Sequence, residues 1–69
     1  HGNWRQRALL DAQKKGGLGV HFTAVYSMSE KDFEELKSEI LELISQSRER
    51  ALASGSEKLV CFTCDFFEP

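Results

Sequence analysis

Sixty-nine residues, 41% of them hydrophobic and 29% charged, make one domain near the lower limit at which a single core holds a chain together, and exclude a disordered tail. The formal net charge of −2, with the basic residues scattered as Arg5 and Arg7, Lys14 and Lys15, Arg48 and Arg50, excludes direct nucleic-acid binding by this segment, because phosphate recognition needs clustered Lys and Arg. No run approaches the ~20 apolar residues of a membrane span and no signal-peptide layout is present, so the expected setting is cytoplasmic, with no membrane partner.

The chain opens on His1, which reads as a segment excised from a longer protein, residues 1–69 forming a single domain of it. The first element is a helix over about residues 3–15. Trp4, Ala8, Leu9, Leu10 and Ala12 supply its apolar side, and Arg5, Arg7, Asp11 and Lys14 its polar side. Asn3 is the expected N-cap, Lys14 and Lys15 suit the negative end of the helix dipole, and Gly16-Gly17 ends it. The glycine-rich run Gly16-Gly17-Leu18-Gly19 has the composition of a phosphate loop in the wrong order. A phosphate cradle lies between a strand and the start of a helix, whereas this run follows a helix, so a turn is expected.

A strand over about residues 20–27 follows, with Val20, Phe22, Ala24, Tyr26 and Met28 alternating along one face. Ser29, with Asp32 three residues on, then makes an N-cap, and Ser27 with Glu30 competes with it one step earlier. The helix it starts runs over about residues 30–53. Phe33, Leu36, Ile40, Leu43, Ile44 and Ala51 line one face, and Glu35, Glu39, Glu42, Gln46 and Glu49 lie outward. Acidic residues dominate its first half, Arg48 and Arg50 approach its end, and Ser54-Gly55-Ser56 closes it. A last strand spans about residues 58–67, with Val60, Phe62, Cys64 and Phe66 on one face and Leu59, Cys61 and Phe67 on the other.

Cys61 and Cys64 stand at a C-x-x-C spacing that suggests redox or zinc chemistry. Within a strand, positions three apart face opposite ways. The two sulfurs could then neither close a local disulfide nor share one metal, and His1 and His21 do not complete a zinc spacing. Two free thiols, buried or half-buried, are expected, which fits a reducing compartment.

These elements assemble into an α+β fold: an α-β-α-β unit whose small sheet packs on one long helix. The helix lies across the even-numbered faces of both strands, and its length allows a parallel, right-handed crossover. Two strands are not a viable free sheet, and the odd face of the last strand is too apolar to be left wet. The sheet is therefore expected to be completed by a second copy in a homodimer, with the rest of the parent chain as the alternative.

The run Phe22-Thr23-Ala24-Val25-Tyr26-Ser27-Met28-Ser29-Glu30-Lys31-Asp32-Phe33-Glu34-Glu35-Leu36-Lys37 and the closing Leu59-Val60-Cys61-Phe62-Thr63-Cys64-Asp65-Phe66-Phe67 resemble the C-terminal α-β-α-β domain of a bacterial family of uncharacterised, transcriptional-regulator-like proteins. The first block resembles the family's strand leading into its long helix, the second its terminal strand. Glu68 between Phe67 and Pro69 departs from the family pattern, and no arginine precedes the first strand. The resemblance implies a winged-helix-like DNA-binding module upstream in the parent chain. It carries over no catalytic residue.

The expected function is a non-enzymatic dimerisation or regulatory domain, with a free-standing protein- or small-ligand-binding module as the alternative and a small enzyme or redox or metal domain ranked below both. His21, Thr23, Val25, Cys61, Thr63 and Phe67 share the odd face and form the candidate interface or ligand surface. His21 could pair with Asp65 if the strands were adjacent in the right register, although a structural or solvated histidine is the plainer reading. No catalytic residue, metal ligand or cofactor is expected.

Overall fold

A computed structural model describes residues 2–69. Among the described residues there are two helices, α1 over Gly2–Ala12 and α2 over Glu30–Ala53, and no strand. The described chain divides into one unit made of residues 2–25 with 60–69 and a second made of Tyr26–Leu59.

In the first unit α1 starts one residue earlier than its sequence suggests, so Asn3 lies inside the helix and does not cap it. The helix also stops at Ala12, which leaves Lys14 and Lys15 beyond its last turn. Its end tightens step by step. The Gln13 N–H donates to the Leu9 carbonyl at 3.2 Å, the Lys14 N–H to Asp11 at 3.1 Å and the Gly17 N–H to Lys14 at 3.3 Å. Shortening the hydrogen-bond span from four residues to three overwinds the chain and ends the helix. Gly16 then adopts φ +82°, a left-handed conformation that glycine reaches at no steric cost.

The second unit is built on α2, whose start is set by Ser29. Its backbone is extended at φ −69° and ψ 158°, its Oγ accepts from the Asp32 N–H at 3.1 Å, and its carbonyl accepts from the Phe33 N–H at 2.9 Å. Glu30 and Asp32 in the first turn and Arg50 in the last oppose the helix dipole. Ser54 ends the helix, its N–H reaching the Ala51 carbonyl at 3.4 Å. Phe33, Leu36, Ile40, Ile44 and Ser47 are half-buried and fall on one stripe at helical spacing. Leu43, expected on that stripe, is 53% exposed, at the edge of a narrower apolar band.

The α+β expectation is corrected by this architecture. Residues 20–27 and 58–67 carry the alternation of strands yet form no ladder, so the described chain is all-α, without a sheet. The parallel crossover, the sheet completed across a dimer and the α-β-α-β fold implied by the family resemblance are corrected with it. Alternation states which side chains would share a face, but a strand exists only when its N–H and C=O groups meet a second strand. Here residues up to 25 and from 60 on share one unit, yet the two candidate segments run through it without pairing their backbones. The side chains expected on the sheet's core face are accordingly out: Phe22 is 77% and Phe62 54% exposed, with Tyr26, Val20 and Val60 also exposed and only Phe66 half-buried. No described residue is fully buried.

Candidate functional site

The six residues expected to share one sheet face all belong to the first unit, and all are exposed: His21, Thr23, Val25, Cys61, Thr63 and Phe67. Without a sheet they have no common face, and among the described residues no hydrogen bond joins any two of them. His1, considered with His21 as a zinc ligand, lies outside the described residues.

Two side-chain pairs organise this unit, and neither is the expected His21–Asp65 contact. His21 Nε2 meets Asp11 Oδ2 at 2.7 Å. A carboxylate oxygen accepts, so in this contact Nε2 is the nitrogen that donates. The pair spans the glycine turn, and Gly19 belongs to its geometry. A Cβ at that position would stand 2.6 Å from Asp11 Oδ2 and 3.0 Å from His21 Nε2. A side chain there would push these two side-chain ends aside, so the absence of one at Gly19 lets them meet over the backbone as they do.

Asp65 is held instead by Arg5. Both guanidinium Nη atoms reach the carboxylate, Nη2 at 3.0 Å from Oδ1 and Nη1 on Oδ2. Hydrogen bonding to Arg5 holds the Asp65 carboxyl below the usual carboxylate range, with the guanidinium charge adding to it and partial desolvation opposing. The same fork, chiefly through its hydrogen bond, raises Arg5. On α1, Arg7 also sits 5.0 Å over the Trp4 ring, one turn away along the helix.

Asp11, Arg5 and Gly19 were not legible as site residues. Arg5 and Asp65 are far apart in sequence, and an exposed Arg on a helix has no distinguishing pattern. The pairing of Asp11 with His21 had one faint signal, a multi-glycine turn between helix and following segment that sends the chain back over the helix end.

Chemically, an imidazole oriented by a carboxylate is two parts of an acid–base constellation. The described contacts of His21 are with Asp11, and both side chains are partly solvated. No group of three or more His, Cys, Asp or Glu residues among those described could hold a metal ion. Cys61 and Cys64 are both free and both exposed, which corrects the expectation of buried or half-buried thiols. That expectation rested on a strand inserted in a sheet, and there is none among the described residues. No described helix is long and apolar enough to cross a membrane.

Comparison with protein-family models, with characterised proteins and with solved structures found no match to this chain.

Proposed function

We propose that the chain is a non-catalytic self-association module in which two copies pair through α2 in an antiparallel twofold arrangement. The observation that carries this reading is the state of the apolar surface. Leu36, Ile40 and Ile44 form one stripe that is only half-buried, Leu41, Leu43 and Leu52 are exposed beside it, and no described residue is buried. Fully burying an exposed side chain of this kind is worth about 1.5–3 kcal/mol, so completing the burial of the stripe and covering the exposed leucines beside it favours association.

The charge order of the helix argues for a second copy as the partner and for its direction. Residues 30–42 hold six acidic side chains against Lys31 and Lys37, whereas residues 43–53 hold Arg48 and Arg50 against Glu49. Parallel pairing would set the two acidic halves side by side. Antiparallel pairing sets each acidic half against the basic end of the other copy, and a closed twofold dimer satisfies both ends at once.

In the wider protein such a module would bring together whatever precedes it. A role in pairing the DNA-binding modules of a regulator-like protein is supported by the sequence resemblance of residues 22–37 and 59–67 alone. Sedimentation equilibrium over a concentration series tests the association. The expected mass climbs from one chain to two, and Ile40→Asp, which places a charge in the middle of the stripe, holds it at one chain while the helical circular dichroism persists. A wild-type mass that stays at one chain throughout overturns the reading.

A further inference from the structure

We propose that two α2 helices pair in one register, meeting on the twofold axis at Ile40, so that Leu36 of each copy packs beside Ile44 of the other. This register rests on the self-association reading and adds to it which residues meet. The half-buried Leu36 and Ile44 stand one helical turn before and one after Ile40, so the stripe reads the same from either end about that residue. A twofold axis at Ile40 therefore sets Ile40 against Ile40 and brings Leu36 level with Ile44 on both sides. Pairing with the helix ends flush, Glu30 beside Ala53, instead puts Leu36 level with Ser47 and Ile44 level with Glu39, an exposed carboxylate. Ser47 continues the stripe beyond Ile44, and its hydroxyl already donates to the Ile44 carbonyl at 2.8 Å. A partner can cover it there without stranding an unpaired donor.

The charged flanks select the same register by a separate route. Asp32 and Arg50 stand five turns apart and share one flank of the stripe, and Glu30 and Arg48 share the other by the same spacing. With the axis at Ile40, Asp32 of one copy lies within ~3 Å along the helix of Arg50 of the other, and Glu30 lies equally close to Arg48. The flush register keeps the first pair and draws the second ~7.5 Å apart. Among the described residues none of these side chains has an ion pair within its own chain. Apolar stripe and charged flanks thus agree on Ile40.

The test places single cysteines on α2 in a chain carrying Cys61→Ser and Cys64→Ser. Helical circular dichroism and sedimentation mass are checked under reduction, and disulfide-linked dimers are then read after oxidation by non-reducing electrophoresis. A disulfide needs its Cβ atoms about 4 Å apart, and on this stripe the twofold axis brings only residue 40 that close to its own copy. Ile40→Cys should be trapped several-fold more completely than Leu36→Cys or Ile44→Cys, whose two copies lie ~12 Å apart along the helix. An equimolar mixture of Leu36→Cys and Ile44→Cys should regain the cross-link. Equal trapping of the three single variants, as in a parallel pair, overturns the register. So does stronger trapping in a mixture of Ile40→Cys with Leu43→Cys than in Ile40→Cys alone, as the flush pair requires. Both of those outcomes leave self-association standing, whereas a wild-type mass that stays at one chain overturns self-association and the register with it.

Discussion

The Arg5 fork on Asp65 is an exposed contact, each side chain being about half accessible, so its worth lies in placement more than in stability. It nonetheless has a pH signature of fixed sign. Because the folded carboxyl titrates below its unfolded value, the pair's contribution is complete above the ordinary carboxylate range and is lost as pH falls through the depressed folded value. Arg5 stays charged throughout and sets no limit of its own. Carboxyl-detected NMR of Asp65 should show a midpoint below that of the other aspartates. In Arg5→Gln it should return to the ordinary aspartate range, since the leading cause of the shift, the guanidinium hydrogen bond, is gone. An unchanged midpoint in that variant would mean that Asp65 is depressed by something other than Arg5. The contrast with His21 is instructive at this scale: the plainer reading, a structural or solvated histidine, agrees with its exposed place, whereas the partner it meets across the glycine turn is Asp11 and not Asp65.

Among the elements, α2 rests most visibly on a single hydroxyl. Ser29 Oγ accepts the Asp32 N–H at 3.1 Å, one of the amide groups that the first turn leaves without a helical partner. Ser29→Ala should cost about 1 kcal/mol and lower the thermal midpoint read by circular dichroism at 222 nm, whereas Ser27→Ala, at the competing cap position, should leave it unchanged. Equal effects would mean that the helix start is not fixed by Ser29. This element also shows what kind of information a short sequence carries. The cap, the span over residues 30–53 and the stripe of Phe33, Leu36, Ile40 and Ile44 all follow from interactions within four residues, so local pattern is enough to read them. Residues 20–27 and 58–67 alternate just as plainly, yet a strand needs a partner that alternation cannot name, and none is present among the described residues. Arg5 and Asp65, and Asp11 with His21, were out of reach for the same reason: their meeting is decided by how the chain turns, not by what lies beside them.

For the molecule as a whole, the question is whether its apolar surface is answered by a second copy, and the charges flanking the α2 stripe supply a test that a generic sticky surface would fail. In a centred antiparallel pair, the N-terminal turn of one helix lies beside the C-terminal turn of the other. Asp32 and Arg50 fall on the same flank of the stripe, five turns of helix apart, so Asp32 of each copy comes opposite Arg50 of the other, twice by symmetry. Each rim pair is worth about 0.2–1 kcal/mol, and like charges cost a similar amount, so reversing one charge should weaken dimerisation several-fold at low ionic strength. Arg50→Glu alone sets a second carboxylate against Asp32 in both places, and Asp32→Lys alone sets an ammonium against Arg50. Mixed in equal amounts, the two variants form a heterodimer in which one end pairs the two native residues and the other pairs the two reversed ones, so both contacts are again of opposite sign. The expected outcome by sedimentation is weakened association of each variant by itself, recovery in the mixture, and loss of the difference in molar salt, where the Debye length falls to ~3 Å. Association that ignores both reversals would show that the helices meet in parallel or that another surface makes the dimer, because only antiparallel pairing brings these two side chains within reach.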